Sequence, residues 1–149
     1  MMSTVVLKRS WAADLDTATL YKLLKLRVQV FVVEQKCAYP ELDGLDLLSE
    51  TRHLWLDDEG EAISTLRLSE EHENGVKSFR IGRLCTTPSA RGHGYTTRLL
   101  QAALAETGSA TVRLNAQTYL IDMYTKHGFV TDGEEYIEDG IPHIPMRRG

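Results

Sequence analysis

Apolar positions recur along the chain at two different periods, and the switches between them mark out its elements. Val5-Val6-Leu7 is a short apolar run that predicts a first strand. Asp14 or Asp16 then offers a side-chain oxygen to the unpaired amides of a helix that should start near Thr17. Leu20, Leu23, Leu24, Arg27, Val30 and Phe31 follow at steps of three and four, so one stripe faces a core while Lys22 and Lys25 face water. That helix is expected to run to about Phe31. Beyond Val32-Val33, the proline, glycine and polar groups of Cys37-Ala38-Tyr39-Pro40-Glu41-Leu42-Asp43-Gly44 predict a loop that could border a site entrance.

Strand signals then take over. His53-Leu54-Trp55-Leu56 and Ala62 to Leu68 flank the polar turn Asp57-Asp58-Glu59-Gly60, which reads as a hairpin connection. A second turn, Glu73-Asn74-Gly75, leads into the run Val76 to Thr86, which stops at Pro88. Three strands therefore lie between the first helix and the glycine-bearing segment Arg91 to Thr96. From Thr96 to Thr107 the residues Leu99, Leu100, Ala103 and Leu104 make an apolar helical face, and Gly108 stands where a left-handed C-cap is wanted. Thr111 to Ala116 predicts a strand, and a short helix from about Leu120 to His127 stops at Gly128. Strand, loop, helix and strand form a βαβ unit, which implies neighbouring parallel strands. The tail from Phe129 to Met146, broken at Asp132-Gly133 and Asp139-Gly140, suggests two last antiparallel strands. No repeat, linker or low-complexity tract divides residues 1–149, so one domain of mixed α/β class is expected.

Composition narrows the function classes. At 42% hydrophobic and 26% charged residues, the chain has enough apolar material to build a core and should fold alone. A formal charge of -4 gives no general basic footprint for nucleic acid. Met1 to Arg9 lacks a long apolar h-region and a small-residue cleavage site, and nowhere do 18 or more apolar residues run together. The expectation is a cytoplasmic protein that engages neither membrane nor nucleic acid. Cys37 and Cys85 form no CxxC pair, and His72, His93 and His127 are dispersed, so free thiols and no metal are expected.

Arg91-Gly92-His93-Gly94-Tyr95-Thr96 lies between a strand and a helix. Its glycines let backbone amides approach an anion, and the helix start adds positive dipole, which suits a pyrophosphate. The Walker pattern GxxxxGK[ST] is absent, and the third glycine of GxGxxG would fall at Thr97. On spacing alone, a tight turn with no ligand accounts for these glycines equally well.

The stretch resembles the R-x-x-G-x-G/A acyl-CoA loop of the GNAT superfamily of N-acyltransferases, read here as Arg91, Gly94 and Thr96. Tyr124-Thr125-Lys126-His127-Gly128-Phe129 resembles the same family's Y-x-x-x-G-F. Leu26 to Gln35, Asp43 and Asp46, His53-Leu54 and Gly140-Ile141-Pro142-His143 resemble its ElaA-type branch, so the likeness spans nearly the whole chain. The resemblance implies a mixed, mostly antiparallel sheet, flanked by helices, that splays beside its fourth strand to admit pantetheine. It further implies that acetyl-CoA is held by backbone amides from Arg91, Gly92, His93, Gly94, Tyr95 and Thr96, by pairing with Leu84, Cys85 and Thr86, and by Asn115 and Gln117. Thr96 is bulkier than the family's glycine or alanine, but its hydroxyl could donate to phosphate in exchange. Tyr124 would protonate the leaving thiolate, and the Leu84 amide would stabilise the oxyanion.

A neutral amine must attack the thioester, so a base or a water path is needed. Glu34, His53 and His143 are the candidates, against the plainer readings that Glu34 pairs with Arg27 and that the histidines satisfy backbone groups. Cys85 raises a covalent ping-pong alternative, but no histidine is adjacent in sequence to activate it. Glu41, Asp43, Asp46 and Glu50 could attract a cationic amine or form a solvated face. The acceptor, a small molecule or a protein lysine, is left open. Two rivals remain: a binding module that holds acyl-CoA without turnover, and an interaction scaffold that does not bind it. Exposed C-terminal strands could pair in a homodimer, although no self-complementary stripe demands one.

Overall fold

The computed structural model describes residues 4–149. Strand β1 (Val5–Trp11) is followed by helix α1 (Thr17–Arg27), then by β2 (Thr51–Asp58), β3 (Glu61–Glu73) and β4 (Val76–Thr86). Helix α2 (Tyr95–Thr107), β5 (Val112–Gln117), α3 (Ile121–Thr125) and β6 (Val130–Thr131), β7 (Tyr136–Glu138) and β8 (Ile141–Arg148) complete the chain. The strands form one eight-stranded sheet in the order β1-β2-β3-β4-β5-β8-β6, with β7 beside β8. All pairs are antiparallel except β4 with β5, which the βαβ reading requires. No helix among the described residues is long and apolar enough to cross a membrane.

Local chemistry explains most boundaries. Asp16, not Asp14, caps α1, its carboxylate accepting from the Thr19 amide at 2.7 Å. The hairpin turns fall at Glu59-Gly60, Asn74-Gly75 and Asp139-Gly140, where both residues take positive φ. This geometry matches the right-handed twist of the flanking strands. Gly108 ends α2 with φ 58° and ψ -127°, outside the left-handed helical well that a standard C-cap uses.

Two expectations change. Regular α-helix ends at Arg27 rather than near Phe31, and Val28–Glu34 continues as a wider π-helical turn, with the Gln35 amide on the Val30 carbonyl (3.2 Å) and that of Cys37 on Val32 (3.1 Å). The β-branched Val28, Val30, Val32 and Val33 weaken the helical preference there. The tail holds three strands instead of two, because β8 is long enough to pair with β5 and also with the short β6 and β7.

Side-chain alternation puts the core on the α2 face. Leu54, Leu56, Leu66, Leu68, Phe79 and Ile81 of the sheet pack with Leu99, Leu100 and Ala103 of α2, all nearly or fully buried. A separate, smaller cluster joins Leu26 and Val30 to Cys85. Leu26 supplies a contact that the three-and-four stripe did not include, whereas the stripe's Leu23 and Arg27 are buried as it requires.

Candidate active site

Strands β4 and β5 pair only at Phe79 with Val112 and Arg80 with Arg113. Past these positions they diverge, and a cavity of about 600 Å³ occupies the wedge between Ile81 to Thr86 and Leu114, Asn115 and Gln117. The β4 edge of this wedge is irregular. Thr65 pairs with Cys85 but Arg67 pairs with Gly82, so Arg83 and Leu84 together oppose Leu66 in a β-bulge. Arg83 takes φ 55° there. A residue with a Cβ in that region costs roughly 1–2 kcal/mol, so other contacts must hold it.

The glycine loop meets the cavity at Arg91 and Thr96. Gly92 and Gly94 take φ 83° and 76°, with open space where a Cβ would stand. The first bond of α2 runs from the Arg98 amide to the Gly94 carbonyl at 3.0 Å. The amides of Gly92 to Thr97 have no protein acceptor among the described residues, as expected of a helix start without a side-chain cap. The Arg91 amide is the exception, because it donates to the Pro88 carbonyl at 3.3 Å. The run of amides without a protein acceptor therefore starts at Gly92, His93 and Gly94 and continues through Tyr95 and Thr96.

Thr96 is committed elsewhere. Ser64 Oγ donates to the Cys85 carbonyl at 3.1 Å, so it must accept from Thr86, which in turn accepts from Thr96, each at 2.8 Å. With its only proton in this chain, the Thr96 hydroxyl ties α2 to β4 rather than donating to a phosphate. The family's small residue is thus replaced by a half-buried structural link.

The acid and base candidates separate clearly. Tyr124 lines the cavity, is 6% exposed and sits edge-on to Phe129 at 5.9 Å. Burial pushes its phenol above the ordinary value, so it stays protonated. His143 lines the same cavity, stacked on Tyr136 at 5.6 Å. Its Nδ1 lies 2.8 Å from the Ile141 carbonyl and must carry the hydrogen, which makes Nε2 the basic nitrogen of the neutral ring. His53 is 1% exposed and outside the cavity, with Nε2 2.9 Å from the Asp46 carbonyl; burial depresses its pKa.

Glu34 pairs with Arg91, not with Arg27, through two bonds of 2.6 Å. The Arg91 hydrogen bonds hold its carboxyl below the usual range, so it is a weak base. Gln35, next in sequence, exchanges side-chain amide bonds of 3.1 and 3.4 Å with Gln117. The end of the π-helical turn thereby reaches both lips of the wedge.

The four acidic residues of the loop divide: Glu50 is exposed, as a solvated face requires, whereas the other three are engaged by arginines. Glu41 and Asp46 are 3% and 6% exposed and are ion-paired to arginines, as is Asp43. Burial opposes ionisation of Asp43, but bonds from Arg67 and the Leu45 amide outweigh it and bring the carboxyl to about 2. Arg27, placed by its spacing on an apolar stripe, was the sign in the sequence that buried carboxylates await it.

Cys85 is buried, and burial pushes its thiol up to about 12. A thiol so rarely ionised is a poor nucleophile at neutral pH. Cys85→Ser should therefore retain kcat within about threefold in steady-state assay, whereas loss of a covalent carrier would abolish turnover. Among the described residues no group of three or more His, Cys, Asp or Glu side chains could hold a metal ion.

Comparison with known proteins agrees with this geometry. Residues 22–148 match the model of the acetyltransferase (GNAT) domain. The UPF0039 protein Rv2851c of Mycobacterium tuberculosis is 63% identical over 146 residues, covering 97% of this chain and 94% of that protein. Protein ElaA of Escherichia coli is 38% identical over 143 residues, with 91% of each chain covered. The crystal structure of Escherichia coli ElaA superposes with a TM-score of 0.90 at 32% identity, covering 97% of this chain and 99% of that one. That of an acyl-CoA N-acyltransferase from Pseudomonas aeruginosa gives 0.86 at 44% identity, covering 97% and 99%. A bulged and splayed fourth strand, a glycine loop of free amides and near-full-length similarity together establish that the chain belongs to the GNAT family of acyltransferases, in its ElaA branch.

Proposed function

We propose that the protein transfers an acetyl group from acetyl-CoA to a primary amine by direct attack in the wedge between β4 and β5. The observation that carries this reading is one cavity reaching from the glycine-loop residues Arg91 and Thr96 to both Tyr124 and His143. Its volume of about 600 Å³ falls in the usual range for small-ligand sites. The free amides from Gly92 to Thr97 fit a pyrophosphate, and the unpaired edges of β4 and β5 fit the amides of a pantetheine arm.

Acetyl-CoA supplies an activated thioester carbonyl. The bulge sets Arg83 and Leu84 against a single partner residue, and the Leu84 amide it frees donates to the oxygen on which charge develops. His143 Nε2 accepts the proton of the attacking amine, directly or through water. Tyr124 donates its phenolic proton to the departing thiolate and is kept neutral for that task by burial. Glu34 and Gln35 hold the π-helical end over the two lips and keep the acyl arm from bulk water.

The test is to incubate the protein with acetyl-CoA and a panel of primary amines, small molecules and peptide lysines together, while following free thiol and the mass of each amine. Amine-dependent thiol release matched by a gain of one acetyl group supports the reading. Bound CoA without transfer or hydrolysis would identify a binding module instead.

A further inference from the structure

Six side chains from separate parts of the fold form a closed ring beside the β4 bulge. Arg27 of α1 meets Glu41 at 2.6 Å, Glu41 meets Arg83 at 2.8 Å, and Arg83 meets Asp43 at 3.3 Å. Asp43 meets Arg67 of β3 at 2.8 Å, Arg67 meets Asp46 at 3.0 Å, and Asp46 returns to Arg27 at 2.5 Å. The charges alternate and cancel, and every member has two partners of opposite sign. Tyr39 donates its hydroxyl to Glu41 and lies 5.7 Å under the Arg83 guanidinium.

The ring touches the bulge at two successive residues. Arg83 is itself a bulge residue, and its Nη2 also donates to the Glu41 carbonyl at 3.1 Å. The Arg67 guanidinium lies over Gly82, where an added Cβ would stand 3.7 Å from Nη2. Among the described non-glycine residues with positive φ, Lys36, Glu59, Asn74 and Asp139 lie at hairpin turns or just past the π-helical turn, and Arg83 lies inside a strand. An arginine is a costly choice for that backbone unless its side chain is what holds the conformation.

We infer that Arg83 is a positioning residue: anchored in this ring, its side chain holds the β4 bulge open and so fixes the direction of the Leu84 amide. The inference rests on the proposed role of that amide toward the thioester oxygen. It explains why Glu41 and Asp46 are buried, and why Asp43, at the cavity wall, is tied to Arg67 and Arg83. It also links α1, through Arg27 and Glu41, to the strand that carries the Leu84 amide.

Arg83→Gly separates the alternatives, because glycine removes the tether while tolerating the same φ. A bulge held by its backbone alone would persist unchanged, whereas one held by the ring would relax toward the regular ladder. The expected result is a fall in kcat approaching 10²-fold, with the Kd for acetyl-CoA within about twofold of wild type. A second readout is the infrared stretch of the carbonyl of bound, carbon-13-labelled acetyl-CoA. Wild type should lower this frequency relative to solution, and Arg83→Gly should return it toward the solution value.

A wild-type shift that Arg83→Gly leaves in place, with kcat intact, would overturn the inference alone. If wild type binds acetyl-CoA with its carbonyl at the solution frequency, the Leu84 role falls and the inference with it. Should Arg83→Gly not fold, Arg83→Lys keeps the charge but lacks the fork that spans Glu41, and the same two readouts decide in the same way.

Discussion

Tyr124→Phe is expected to lower kcat by about 10²-fold or more while leaving acetyl-CoA affinity within about twofold. The substitution removes one oxygen from a side chain that is 6% exposed, and the ring keeps its edge-on contact with Phe129. Burial, and no hydrogen bond from the described residues, sets the state of this hydroxyl, so its loss strands no protein group among them. Burial raises the phenol above its usual pKa, which keeps it protonated through neutral and mildly alkaline pH. Its ionisation therefore should not produce an alkaline fall in kcat below about pH 10. A kcat profile measured from acid to alkaline pH checks both points. Wild-type kcat in Tyr124→Phe across the whole range would remove Tyr124 from the mechanism.

Arg27→Met should be the most destabilising substitution of the ion ring. Arg27 is 1% exposed and bridges Glu41 and Asp46. Its removal leaves three carboxylates facing two guanidinium groups in a mostly buried setting. Loss of one partner from a buried pair costs about 3–5 kcal/mol. For a chain of this size that corresponds to a fall in Tm of roughly 10 °C.

The effect should depend on pH in a defined direction. The carboxyls of Asp43 and Asp46 are lowered in the folded protein, so their ionised forms stabilise it above the unfolded pKa near 4. That stabilisation is lost as pH falls toward about 2, the folded value for Asp43. With Arg27 gone, the remaining carboxylates repel one another until protonated. The stability gap between wild type and Arg27→Met should therefore narrow as pH falls from about 5 to 3. Thermal unfolding of both proteins across that range measures it, and a gap independent of pH would contradict the assignment.

Features built from neighbouring residues were readable in the sequence. The turns at Gly60, Gly75 and Gly140 demand positive φ and stand between period-two segments, so their chemistry and location coincide. The glycine loop and the parallel pairing of β4 with β5 follow from a strand, a loop and a helix in order, whereas the splay was expected only from the family resemblance, and the motif alone did not exclude an empty turn. Features set by distant partners were not readable. Glu34 and Arg27 are seven positions apart, a plausible helical pairing, but the π-helical turn carries Glu34 around to Arg91. The acids of the 41–46 loop are interspersed with leucines in the sequence, and only the placement of Arg67 and Arg83 on adjacent strands shows why the acids are ion-paired there. His53 and His143 look alike as sequence candidates; the register of β2 buries the first, and that of β8 with β5 brings the second to the cavity.

The most direct measurement is a calorimetric titration of the purified protein with acetyl-CoA. The account predicts saturable one-to-one binding with a Kd in the micromolar range, on the scale of ordinary enzyme–substrate affinities. Absence of saturable heat at millimolar acetyl-CoA would contradict the assignment of the β4–β5 wedge and the Gly92–Thr97 amides as an acetyl-CoA site.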